Sequence, residues 1–226
     1  MRHSKKHGLA VIEDAAQAIG AKRNGARVGN FGDCACLSFF PSKNLGGLGD
    51  GGMVITNNTA LADKIRQMRN HGMEPKYYHK FVGGNFRLDA IQAAGLLVKL
   101  PHLDEWGQMR RENAAFYNEA FAGAEGIKTP YIESANHSIY NQYIISVEKR
   151  DEVIAHLRAK NIGCEIYYPV PLHLQECFAA LGHKRGDFPK AEYAAAHTIA
   201  LPIYPELERE QLQYVADSVK EAVLKL

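Results

Sequence analysis

Short apolar runs, separated by glycine-rich or polar stretches, set the first picture of this chain. Leu9 to Ile12 is a continuous apolar run of strand length, the pattern of a parallel strand buried on both faces. Asp14 falls at its carboxyl end, where α/β proteins place ligand-binding groups. NGARVGNFGD follows, with Asn-Gly as the signal for a tight hairpin or a loop. CACLSFF predicts a second buried strand, halted by Pro41, which has no N–H to pair. Gly52 to Thr56 reads as a third. Asn58 or Thr59 suits the cap of a helix reaching about Asn70, with Leu61, Ile65 and Met68 on one face. HGMEPKYYHKFVGGNFR has no period and is expected to be loop. Leu88 to Leu100, rich in Ala and Leu, predicts a helix buried on most sides. Pro101 then suits the first turn of another, Leu103 to Ala122, anchored by Trp106 and by Phe116 or Tyr117.

Near that helix the composition shifts, which places a domain boundary there: residues 1–106 and 107–226. The second part alternates. A strand is expected at Ser138–Val147, a helix at Asp151–Lys160 ended by Asn161 and Gly163, and a strand at Cys164–Tyr168 leading into the loop YPVPLHLQ. Two helices close the chain, around Pro189–Ile199 and Glu208–Lys225, with ALPIYPEL between them. The fold class is α/β.

The chemistry concentrates after Pro41. Lys43 is followed by five glycines in nine positions. A lysine just past a buried strand, in a loop stripped of side chains, sheds hydration, and a desolvated amine can attack an aldehyde to form a Schiff base. The glycines let backbone approach a flat ligand and its phosphate. The plainer alternative is a glycine-rich turn carrying a solvated lysine. Asp14 has a plain alternative too, as a helix cap, and Gln17 three residues later would lie on the same side of a turn.

Charge and cysteines narrow the classes. A net charge of +2 with spread Lys and Arg gives no case for nucleic acid. No apolar run approaches the ~20 residues that span a bilayer, and the opening MRHSKKHGLAVIED lacks the apolar segment of a signal peptide. Four cysteines without a CxxC pair suggest a reducing compartment, the cytoplasm, and no metal site.

In order, VIEDAAQA, SFFPSKNLGGLGDGG, GGNFRLDAIQAA and YYPVPLHLQ resemble motifs of the nucleotide-sugar aminotransferases, the pyridoxal-phosphate enzymes of the DegT/DnrJ/EryC1/StrS family. The resemblance covers essentially the whole chain. It implies an aspartate-aminotransferase-like fold. The chain would hold the C-terminal part of the large domain, a mainly parallel sheet with helices on both faces, and then a smaller α/β domain. It implies that Lys43 attaches pyridoxal phosphate as an internal aldimine and shuttles protons, and that Asp14 pairs with the pyridine nitrogen, keeping the ring a good electron sink. Gln17 would meet the ring or its hydroxyl, and Ser38 the phosphate. Asn85 would reach the phosphate in the neighbouring subunit, which requires a homodimer with shared sites. Tyr168 and His173 would contact the sugar, with Arg87 available to a carboxylate; for His173 the alternative is a surface-loop histidine. The substrates implied are a nucleotide-linked keto sugar and an amino donor, glutamate, for amino sugars of polysaccharides or glycosylated metabolites. Sugar dehydration, the family's other chemistry, replaces the lysine with histidine and is disfavoured by Lys43.

Length departs from the family. Its members are longer, and the missing part would supply a helix N-terminus for the phosphate and an aromatic ring to stack on the cofactor. Met1 would then be an internal start, or the sequence a piece of a longer coding region. The competing expectations are a non-catalytic remnant and a chain completed by a separate N-terminal polypeptide.

Overall fold

The computed structural model describes residues 2–225; Met1, on which the expectation of an internal start rests, lies outside them. In chain order the elements are α1 (Arg2–His7), β1 (Ile12–Asp14), β2 (Lys22–Arg23), β3 (Ala26–Arg27), β4 (Cys34–Ser38), β5 (Gly52–Ile55), α2 (Thr59–Met68), α3 (Ala90–Lys99) and α4 (Leu103–Ala120). After these come β6 (Ile127–Lys128), β7 (Asn136–His137), β8 (Tyr143–Val147), α5 (Arg150–Ala159), α6 (Pro189–His197), β9 (Thr198–Leu201) and α7 (Arg209–Leu224). The chain divides into two compact units. One runs to Gln108 and takes in Ile132–Asn141; the other holds Met109–Tyr131 and Gln142–Leu226. The division falls inside α4. Ile132–Asn141 belongs to the first unit because β7 pairs with β2.

In the first unit β1 and β4 pair in parallel, with Asp14 opposite Cys36, and β5 returns antiparallel to β4. A mainly parallel sheet is therefore not what these residues build: β1–β4 is the one parallel pair among the described residues, and the remaining pairings are antiparallel. The reason lies in the connections. Parallel neighbours need a crossover segment, whereas the lysine loop brings the chain straight back beside β4. The strand expected at Leu9 starts at Ile12, and Ile12 is 68% exposed rather than buried on both faces. No described element covers it.

Asn24 and Gly25 turn β2 into β3 with φ of 49° and 80°, the left-handed pair that a tight hairpin demands. Asn58 caps α2, its Oδ1 accepting the Leu61 N–H at 3.1 Å. α3 is a helix, yet only Leu96 on it is buried; Ile91, Leu97 and Val98 face outward, against the expectation of burial on most sides. Leu96 joins Phe39, Leu45 and Leu103 in the core of this unit, with Ile19 and Leu88 packed against them.

The second unit is built on the antiparallel sheet β6-β8-β9. β8 alternates buried and half-buried positions, so Tyr143, Ile145 and Val147 point into the core with Val153 and Leu157 of α5 and Val215 and Val219 of α7. Tyr117 is fully buried and donates its hydroxyl to Pro202 O at 3.1 Å. Three expectations are corrected. The strand expected from Ser138 begins at Tyr143. Cys164–Tyr168 is not a strand: Glu165 alone bridges to Ala200, and Pro169 and Pro171 cannot donate to a longer ladder. Thr198–Leu201, placed at the end of a helix and in a loop, is strand β9. At the end of the helix before it, Arg150 donates to Ala195 O at 3.0 Å and the Thr198 hydroxyl to Ala194 O at 2.8 Å.

Candidate active site

Four of the expected residues lie at the carboxyl ends of the paired strands β1 and β4 or within five residues beyond them. Asp14 is the last residue of β1 and is exposed, its Oδ1 accepting the Ala16 N–H at 3.1 Å. That bond closes a turn rather than capping a helix, since the next element is β2, and it uses one oxygen only. Gln17 follows, also exposed. Ser38 ends β4, two residues beyond the position level with Asp14, and its Oγ accepts the Phe40 N–H at 3.2 Å. Lys43 then lies half-buried in the loop. Among the described residues Asp14 has no ion pair, and the amine of Lys43 has neither an ion pair nor a hydrogen bond.

The loop itself is closely specified. Lys43 N donates to Phe40 O at 2.9 Å, Gly47 N to Phe39 O at 2.7 Å, and Phe39 N to Gly51 O at 2.8 Å. A Cβ on Gly46 would stand 2.2 Å from Pro41 O, so only glycine allows that crossing. Asn44, beside the lysine, is buried; its Nδ2 donates to Ile139 O at 3.0 Å while its Oδ1 has no partner among the described residues.

Glu13, which the sequence argument passed over for Asp14, holds the neighbouring loop. It accepts the N–H groups of Gly29, Phe31 and Gly32 at 2.8, 2.7 and 2.7 Å. Burial pushes its carboxyl up, but these three backbone bonds together bring it below its ordinary value. Alternation on β1 sends Glu13 to one face and Asp14 to the other.

Asn85 and Arg87 lie elsewhere in the same unit. Asn85 is exposed and bridges to Asn70, whose Oδ1 accepts from Arg87 Nη1 at 2.9 Å. Among the described residues neither is hydrogen-bonded to Asp14, Gln17, Ser38 or Lys43. In the second unit Tyr168 is exposed, whereas the side chain of His173 is only 7% exposed. The surface-loop reading of His173 is thereby corrected. Its Nε2 lies 3.0 Å from Glu192 Oε1, and its ring packs on Phe188 at 4.8 Å. The Gly186 N–H, followed by His173 and Phe188, draws the Glu192 carboxyl below its ordinary value. Glu192 left no mark in the sequence, because its work depends on a loop folding back over six residues.

A carboxylate with one oxygen in a turn and, among the described residues, no ion pair, a hydroxyl, an exposed amide and an amine with no bonded partner among the described residues form a donor set with complementary chemistry. It fits a ligand that carries a basic ring nitrogen, an anionic group and an aldehyde, and pyridoxal phosphate is such a molecule. Among the described residues no cluster of His, Cys, Asp and Glu is arranged to hold a metal ion.

The profile of the DegT/DnrJ/EryC1/StrS aminotransferase family matches residues 1–220, and the chain belongs to that family. It is 52% identical over 220 residues to a pleiotropic regulatory protein of Geobacillus stearothermophilus, covering 96% of this chain and 59% of that one. It is 43% identical to a UDP-N-acetyl-3-dehydro-alpha-D-glucosamine 3-aminotransferase of Acidithiobacillus ferrooxidans, covering 99% of this chain and 60% of that one. In structure it resembles the Streptomyces venezuelae protein DesV, solved with a ketimine intermediate. That likeness has a TM-score of 0.96 and 41% identity over all of this chain and 61% of the other. The chain thus spans about 60% of the length of the relatives it matches.

Proposed function

We propose that this chain carries the lysine-bearing part of a pyridoxal-phosphate-dependent aminotransferase that moves an amino group, from glutamate, to a nucleotide-linked keto sugar. The observation that carries the reading is the Lys43 amine, without a bonded partner among the described residues, in the glycine loop that follows β4, the strand paired in parallel with the one that ends at Asp14. When bound, pyridoxal phosphate supplies an aldehyde for the amine and an electron-withdrawing ring. Lys43 is the attachment point, and its Nζ takes and returns a proton at the substrate carbon. The Asp14 carboxylate accepts a hydrogen bond from the protonated ring nitrogen. Gln17 contacts the ring and Ser38 the phosphate, and Asn85 serves the phosphate of a second copy in a homodimer. Tyr168 and Arg87 present to the sugar or the donor from exposed positions. His173 meets the sugar, with its Nε2 held by Glu192. Four free thiols suit work in the cytoplasm.

A second reading is favoured by one observation. The sheet β1-β4-β5 leaves Ile12 exposed and a groove of about 840 Å³ lined by Met53, Val54, Ile65, Met68 and Phe86. Open apolar surface of this kind marks a face that further polypeptide would cover, and on this reading the chain alone is a non-catalytic piece that needs that polypeptide for activity.

The test is incubation with pyridoxal phosphate, borohydride reduction and peptide mass mapping. The label is expected on Lys43, with none in Lys43→Arg. Label on another lysine with Lys43 unmodified would overturn the assignment. No label on the chain alone, restored when the remaining part of a relative is supplied, would favour the second reading.

A further inference from the structure

Helix α3 reaches the lysine loop with more than its core residue. Leu96 packs against Leu45 of that loop, and two polar side chains from the same helix end on its backbone. Gln92 Oε1 accepts the Leu48 N–H at 2.8 Å, and Lys99 Nζ donates to Gly46 O at 2.5 Å. Seven residues apart, Gln92 and Lys99 lie two turns along one face of the helix. The amide of Gln92 occupies space that two missing side chains leave. A Cβ on Gly47 would stand 2.8 Å from its Oε1, and one on Gly49 2.9 Å from its Nε2. Among the described residues the Lys43 amine makes no hydrogen bond or ion pair, so the loop that carries it sets where it stands.

We propose that Gln92 and Lys99 are positioning residues for Lys43. They pin the far side of the glycine loop to α3 while Phe39 and Phe40 pin the near side, and so set where the amine stands without bonding to it. The inference rests on reading Lys43 as the reacting amine. It also assigns a role to the polar residues of a helix whose pattern otherwise looks like plain apolar packing.

The test uses the 226-residue chain with Gln92→Leu, Gln92→Glu, Lys99→Met and Lys99→Arg. Three quantities are measured: amide exchange at Gly47 and Leu48, the pH profile of Lys43 trapping by pyridoxal phosphate and borohydride, and cofactor-free reductive methylation of Lys43. Gln92→Leu should speed exchange at Leu48 about tenfold, as expected for one lost hydrogen bond, and leave β8 unchanged. It should also slow trapping about tenfold and speed methylation as the lysine leaves its half-buried setting. Gln92→Glu, which keeps an acceptor for Leu48, should restore both within about twofold, and Lys99→Arg should do the same for Lys99→Met. A merely structural role would move exchange and leave the pH profile and methylation of Lys43 where they were, and that result overturns the proposal. Should Gln92→Leu fail to fold, Gln92→Asn, one methylene too short, gives the same reading. If the unsubstituted chain shows no trapping at Lys43 even when the remaining part of a relative is supplied, the aminotransferase reading fails. The methylation rates still decide whether Gln92 and Lys99 place the amine.

Discussion

Replacing Glu13 by Gln tests how the strand bearing Asp14 is held. The carboxylate accepts three backbone N–H groups, two on Oε1 from Phe31 and Gly32 and one on Oε2 from Gly29. Glutamine can keep the first two with its remaining oxygen. Its NH2 then faces the N–H of Gly29, a buried residue, so two donors meet and one buried N–H loses its partner. A hydrogen bond to a charged group contributes about 1.5–3 kcal/mol, and stranding its donor puts the loss near the top of that range, about 2–3 kcal/mol. Amide exchange at Gly29 should therefore accelerate about 30- to 150-fold, with exchange in β8 unaffected. The dependence on pH has a definite sign. Glu13 has its carboxyl lowered from an ordinary value of 4.5 in the fold, so its contribution is complete above 4.5 and is lost as pH falls through the folded value. The gap between the native chain and Glu13→Gln should thus be full at pH 7 and narrow in acid. A gap below about 0.5 kcal/mol at pH 7, or one that persists unchanged in acid, would refute the reasoning.

Three further outcomes are expected. Asp14→Asn keeps the shape and removes the charge, so cofactor retention should survive while turnover falls by a factor of about 100 or more, since a preorganised charge is worth roughly 3–4 kcal/mol; near-normal turnover would contradict its role. Mixing Asn85→Ala with Lys43→Ala subunits should recover trapping, because a mixed dimer then holds one site with both defects and one with neither; no recovery would place Asn85 in its own subunit's site. Glu221, beside Lys160 and Lys225, has its carboxyl lowered to about 2, and an NMR titration should show Lys160→Met moving it back toward the ordinary range; a carboxyl that does not move would assign the shift to another cause.

Local physics carried much of the fold. The Asn24-Gly25 hairpin, the Asn58 cap and the helix begun at Glu208, where a capping box forms with Gln211, depend on neighbours within a few residues. The lysine loop was legible for the same reason: Pro41, Lys43 and the glycines specify a turn and its chemistry within one short stretch. The family was legible because four such stretches stand in order. What depends on residues far apart in the chain was not. Whether Leu9 to Ile12 and the apolar face of α3 are covered is set by what packs on them, and an apolar run looks the same either way. The break between α6 and β9 carries no turn residue: Thr198 turns extended there with its hydroxyl on Ala194 O, and Arg150, distant in sequence, satisfies the carbonyl of Ala195. Glu13, Gln92, Lys99 and Glu192 are ordinary polar residues in the sequence. Each acquires a role only when a loop brings unpaired backbone groups, or a buried imidazole, to within hydrogen-bonding distance, and only the tertiary structure decides that distance.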